Sequence, residues 1–195
     1  MLVRTKPTLA PAAESAPAAP RQVVASYPND VWSVDRTVVL RWGLWPTWML
    51  AAIDHFSRRI VACCALDGPN AGWVVDALEE AFARHGSPKH IITDQGDVFA
   101  SAAFGELLTG RGVKQRFGAV GKHGSIAVTE RAIHTLKDEW LGRVPVLRGL
   151  DHLRQLLQDF AVYYVTTQVA FRSGGLLEVR GQHSGAGLWG SPTRC

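Results

Sequence analysis

An α/β fold with a mixed five-stranded sheet flanked by helices is what this 195-residue sequence predicts, and three observations carry it. Three apolar, strand-like segments follow one another between Val31 and Leu66, separated only by short turns. Beyond residue 68 the pattern changes, and segments with a 3.6-residue apolar period alternate with short strands. Finally, the fourth and fifth strands each follow a helix, so right-handed crossovers can add them in parallel beside the first.

The first strand, Val31 to Thr37, alternates Ser33, Asp35 and Thr37 on one face with Trp32 and Val34 on the other. Gly43 and Pro46 mark the turn that follows. Trp48 to Ile53 is a continuous apolar run, as expected of a strand buried on both faces, and Ile60 to Leu66 is a third. Between them Asp54-His55-Phe56-Ser57-Arg58-Arg59 is a polar turn, which makes the three an antiparallel meander.

Asn70 is placed to cap a helix whose apolar positions are Trp73, Val74, Ala77, Leu78, Ala81 and Phe82, and which Gly86 and Pro88 end. His90 to Thr93 is the fourth strand, with Asp94 where it runs out. Ser101 caps a shorter helix carrying Phe104, Leu107 and Leu108, stopped by Gly110 and Gly112. Val113 to Phe117 is the fifth strand, and Gly118, Gly121 and Gly124 loosen the loop behind it. In the next helix Ile133, Leu136 and Trp140 form an apolar stripe, while Glu130, His134, Lys137 and Leu141 share an adjacent one. The last helix spans about Leu150 to Tyr164 and buries Leu153, Leu156, Leu157 and Phe160.

The ends of the chain read differently. Residues 1–26 are rich in Pro and Ala and read as a disordered linker. The folded core spans 27–164, and residues 165–195 form a Gly-punctuated tail with no sustained period, expected to be poorly ordered. A hydrophobic fraction of 47% supports a packed core, and no run of about 18 apolar residues indicates a membrane span. A net charge of +4 permits a polyanionic partner without requiring one. The cysteines, adjacent Cys63 and Cys64 plus Cys195, lack zinc-site spacing. A reduced, cytoplasmic compartment is the reading they support.

Three acids stand out. Asp35 lies within the first strand, Asp94 ends the fourth, and Glu130 opens a helix after 35 intervening residues. Acids gathered at the end of a buried strand repel one another unless they are paired or hold a divalent cation.

Four blocks resemble the integrase core of insertion-sequence (DDE-type) transposases, relatives of retroviral integrases with a ribonuclease-H-like fold. They are Trp32-Ser33-Val34-Asp35-Arg36-Thr37, Ala52-Ile53-Asp54-His55-Phe56-Ser57-Arg58, Ile91-Ile92-Thr93-Asp94-Gln95-Gly96, and Glu130-Arg131 with Thr135 to Glu139. The resemblance implies that Asp35, Asp94 and Glu130 are catalytic and hold two magnesium (or manganese) ions. It also implies that Lys137 contacts DNA near the cleaved phosphate, and that Asp54 is a turn acid rather than a ligand. Asp97 reads as a loop acid, and His123 and His134 as ordinary surface residues. The implied partners are transposon-end and target DNA, together with further transposase subunits or copies of the same chain. The reaction implied is metal-dependent cleavage and strand transfer. Against this stands a second expectation. The family's helix-turn-helix module is replaced here by the Pro/Ala linker, and its usual sequence after the last helix is missing behind Tyr163-Tyr164. A truncated or frameshifted, catalytically inactive remnant that only binds DNA or a partner transposase would have such flanks.

Overall fold

The computed structural model describes residues 24–118 and 127–172, with side chains to 167. Apart from its last three residues, the linker assigned to 1–26 lies outside the described residues. So do the tail from 173 onward, His123 and the glycine loop after Gly118. The expected five-stranded sheet is present, in the order β3-β2-β1-β4-β5. Its strands are β1 (Val31–Arg41), β2 (Trp45–Asp54), β3 (Ile60–Leu66), β4 (His90–Thr93) and β5 (Lys114–Phe117). β1 pairs antiparallel with β2 and β2 with β3, while β4 joins β1 and β5 joins β4 in parallel.

Period-2 alternation gives the sheet two apolar faces. Trp32, Val34, Leu50 and Ala52 pack beneath α1 (Ala71–His85) and α2 (Ala102–Gly110). Val39, Met49 and Ile53 face the other way, toward α3 (Ala127–His134) and α4 (Leu150–Arg172). Both capping assignments hold: the side chains of Asn70 and Ser101 accept from the backbone N–H of Trp73 and Phe104.

Five elements differ in their bounds from the sequence reading. β1 and β2 run longer, and the reversal sits at Trp42-Gly43, both at positive φ (54° and 71°), while Pro46 lies inside β2 opposite Leu40. These are the torsions of a tight hairpin turn whose twist matches the flanking strands. β5 starts one residue late, at Lys114. α4 continues past Tyr164 to Arg172. The helix bearing Glu130 is not α-helical throughout. It stops at His134 and widens into a π-helix over Thr135–Trp140, closed by the Leu141 N–H donating to the Leu136 carbonyl. That i to i+5 repeat brings Leu136 and Leu141 into the same core, both buried, where an α-helix would have left Leu141 on the Glu130 stripe. Trp140 is fixed at the same time, its Nε1–H donating to the Leu156 carbonyl of α4 at 2.9 Å.

Asp54, 1% exposed, closes the β2–β3 turn. Its carboxylate accepts from the Asn29 N–H (2.6 Å), the Ser57 N–H (2.7 Å) and the Ser57 hydroxyl (2.9 Å). This is the role of a turn acid, since the oxygens are occupied by donors that stitch three segments together. Asp54→Ala leaves those donors buried without a partner and is expected to cost about 3 kcal/mol of unfolding free energy. Urea unfolding would measure it, and a loss below about 1 kcal/mol would contradict the assignment.

Candidate active site

Asp35 sits midway along β1, on the face turned toward α3, and is half-buried. Asp94 follows the last residue of β4, and its side chain is exposed. Because β4 runs parallel to β1 with Ile92 opposite Ser33, its carboxyl end delivers Asp94 level with Asp35 on the neighbouring strand. Glu130 lies in the first turns of α3, whose residues contact β1 and β2, and is exposed. Lys137 follows in the π-helical turn, half-buried.

These groups act on one another through Asp35. Burial raises its carboxyl above the usual carboxylate range, and the Arg36 backbone N–H donating to Oδ1 at 2.7 Å opposes that. The negative charges of Asp94 and Glu130 raise it further, and the positive charge of Lys137 lowers it. All four residues therefore share one electrostatic neighbourhood. Among the described residues, however, no group of three or more His, Cys, Asp or Glu side chains is gathered closely enough to hold a metal ion. The acids crowd one another without forming a ready-made cage. As ligands they are hard oxygen donors, the set that suits Mg2+ or Mn2+. A divalent cation would also relieve the repulsion that raises Asp35, so the residues fit such an ion.

Three local devices hold the acids in place, and none of them was read from the sequence. The buried hydroxyls of Ser33 and Thr129 hydrogen-bond to each other, joining β1 two residues before Asp35 to α3 one residue before Glu130. The Arg36 guanidinium lies 4.3 Å from the Trp48 ring centroid, donates to the Pro69 carbonyl at 2.5 Å and pairs with Asp97 at 3.2 Å. It thus ties β1 to the loop that carries Asp94. Gly96 donates its N–H to Asp94 Oδ1 at 3.0 Å, and a Cβ at Gly96 would stand 3.0 Å from that same oxygen. Asp97 is the loop acid expected, and its Oδ1 also accepts from the Val98 N–H. His134 is exposed and pairs with Asp138 at 3.1 Å, as suits a surface histidine. Among the described residues no helix is long and apolar enough to cross a membrane.

Comparison with known proteins agrees with this architecture. The model of the integrase core domain matches residues 25–123, about half of the chain. That span holds Asp35 and Asp94 and ends before Glu130 and Lys137. The InsK protein of insertion sequence element IS150 from Escherichia coli (strain K12) is 24% identical over 166 residues, which are 83% of this chain and 58% of that protein. The transposase for insertion sequence element IS629 from Shigella sonnei is 31% identical over 111 residues, 56% of this chain and 37% of that protein. The chain thus spans no more than about three-fifths of the length of these relatives. The HTLV-2 integrase catalytic core domain, solved in complex with magnesium, superposes with a TM-score of 0.53 at 24% identity, covering 69% of this chain and 84% of that one. The catalytic core domain of BIV integrase gives 0.55 at 20% identity, covering 79% and 87%. The fold is therefore ribonuclease-H-like, as the sequence blocks implied, and the chain belongs to the integrase core domain family.

Proposed function

We propose that residues 27–164 are a catalytic core for metal-dependent DNA cleavage and strand transfer, with Asp35, Asp94 and Glu130 as its carboxylates. The observation that carries this reading is the charge crowding at Asp35, where two acids from distant elements and one lysine act on a single half-buried carboxyl. Asp35, Asp94 and Glu130 would hold two Mg2+ or Mn2+ ions. When bound, such ions supply an activated water or 3′-hydroxyl and neutralise charge developing on the phosphate. This chain's own residues do the positioning. The Ser33–Thr129 bond sets the helix of Glu130 against β1, and Arg36 with Gly96 sets the loop of Asp94. Lys137 offers its charge to a DNA phosphate beside the carboxylates. Transposon ends and target DNA are the substrates of this reading, and further copies of the chain or other transposase subunits are its partners.

A second reading has its own support. No closed ligand cluster stands among the described residues. That suits a remnant that binds DNA or a partner transposase without reaction. A labelled duplex bearing the ends of the surrounding DNA element, incubated with Mn2+, separates the two. Nicking or joining that disappears in Glu130→Gln supports the enzyme. Binding with no reaction under any condition supports the remnant. In the same assay Lys137→Ala is expected to weaken DNA binding and lower its salt slope by about one.

The charge crowding also fixes a pH dependence in metal-free protein. The folded-state pKa of Asp35 lies above its ordinary value of 3.8. Its contribution to stability is therefore complete below the unfolded pKa and is lost as pH rises through the folded one. Asp35→Asn is accordingly expected to raise the urea midpoint at pH 7 in EDTA, with the gain shrinking as pH falls toward about 4. An Asn variant less stable than the parent at pH 7 would contradict the crowding. Gly96→Ala provides a third check. The added methyl meets the mobile carboxylate of Asp94 rather than backbone, so stability should change by less than about 0.5 kcal/mol. The rise in melting temperature produced by Mn2+ should nevertheless fall, because Asp94 is displaced.

A further inference from the structure

The tip of the β1–β2 hairpin has no part in the site described above, yet among the described residues it gathers the most exposed large apolar side chains. Leu40, Trp42, Leu44 and Trp45 are 53%, 54%, 80% and 65% exposed. Trp42 stands at φ +54°, a left-handed conformation that a bulky side chain rarely adopts. Burial does not explain two tryptophans held out on a tight turn. The Trp42 N–H donates to the Leu147 carbonyl, which lays the segment before α4 against the tip and adds exposed Val146.

The charges on the hairpin tip and on residues 140–150 share one sign. Arg41 adjoins the turn, its Nε–H held by the Thr47 hydroxyl at 2.5 Å, and exposed Arg143 and Arg148 lie in the abutting segment. Neither residues 36–53 nor residues 140–150 include an acid. A two-fold contact between copies of this chain would set these arginines against their own equivalents, which opposes self-association. A polyanion suits them.

Position narrows the choice further. β1 and β4 are parallel, so the end of β1 points the same way as the end of β4 that carries Asp94. β1 continues six residues beyond Asp35 to Arg41, and at ~3.3 Å per residue the tip stands about 20 Å from that carboxylate. DNA seated at the acids therefore extends within reach of the tip. Exposed tryptophans bind nucleic acid by stacking, and stacking needs a base face that paired DNA keeps covered.

We propose that the β1–β2 hairpin tip is a second DNA-contacting site, in which Trp42 and Trp45 stack on unpaired bases while Arg41, Arg143 and Arg148 hold the adjoining phosphates. The inference rests on DNA being the substrate of the core. Fluorescence anisotropy with two labelled duplexes tests it, one blunt and one carrying a short single-stranded overhang. The full chain should favour the overhang. The double variant Trp42→Ala, Trp45→Ala should lose roughly fivefold or more for the overhang while its affinity for the blunt duplex changes less than about twofold. Phenylalanine at both positions should restore most of the preference, since an aromatic face returns. Arg148→Ala should lower the salt slope with both duplexes by about one. Trp42→Asn serves as a control for folding, because Asn tolerates positive φ: its melting temperature should hold or rise while overhang preference falls. An alanine double variant that keeps the overhang preference overturns the proposal and leaves the core reading intact. A double variant that instead dissociates an oligomer in sedimentation, with overhang preference unchanged, assigns the tip to self-association and also overturns it. Wild-type protein that binds neither duplex overturns both the proposal and the DNA reading of the core.

Discussion

The physical constraint on which the rest depends is the carboxyl of Asp35, held half-buried on a central strand with two further acids in its field. A lone surface aspartate would ionise without consequence. Here burial and like charge both oppose ionisation, while one backbone N–H and the charge of Lys137 favour it. The protein keeps this conflict where the end of β4 lies level with the middle of β1. Conflict of this kind is commonest where a charged partner is to be accommodated.

Much of the surrounding structure makes that arrangement rigid. The two faces of β1 are assigned to different tasks, with Trp32 and Val34 anchored under α1 and α2 while Ser33 and Asp35 face α3. Asp54 closes the neighbouring turn with two hydrogen bonds accepted from Ser57 and grips Asn29, just before β1 begins, with a third. Arg36 reaches away from Asp35 on the opposite face and fastens the loop after Asp94. Helix α3 is fixed twice, by the buried Ser33–Thr129 pair near its start and by the π-helical turn that follows, whose Trp140 bonds to α4. Two packed layers on opposite faces of one sheet thus converge on a site that neither layer contains alone.

What could be read from the sequence follows the range of the forces involved. β3 appears with the bounds its apolar run gave, and Asn70 and Ser101 cap as expected, because these depend on nearby residues. Asp35, Asp94, Glu130 and Lys137 stand out in their blocks, and the charges of the last three act on the carboxyl of the first. The features missed depend on distant partners. Ser33 and Thr129 are 96 residues apart, and Arg36 and Asp97 are 61 apart, so no local pattern marks either pair. The π-helical turn is set by Leu136 and Leu141 both reaching one core, which a 3.6-residue period conceals. Trp42 carries no turn signal at all, since the residues that favour positive φ are glycine and asparagine.

Whether the three acids act as one ligand set can be measured without DNA or catalysis. Mn2+ broadens nuclear magnetic resonances near its binding site, so amide signals of the 15N-labelled chain can be followed as the ion is added. The account predicts early broadening around Asp35, Asp94 and Glu130 together, abolished for all three regions by Asp35→Asn. Broadening centred instead on another acidic surface, such as Glu79 and Glu106 beside the α1–α2 groove, and unaffected by Asp35→Asn, would contradict it.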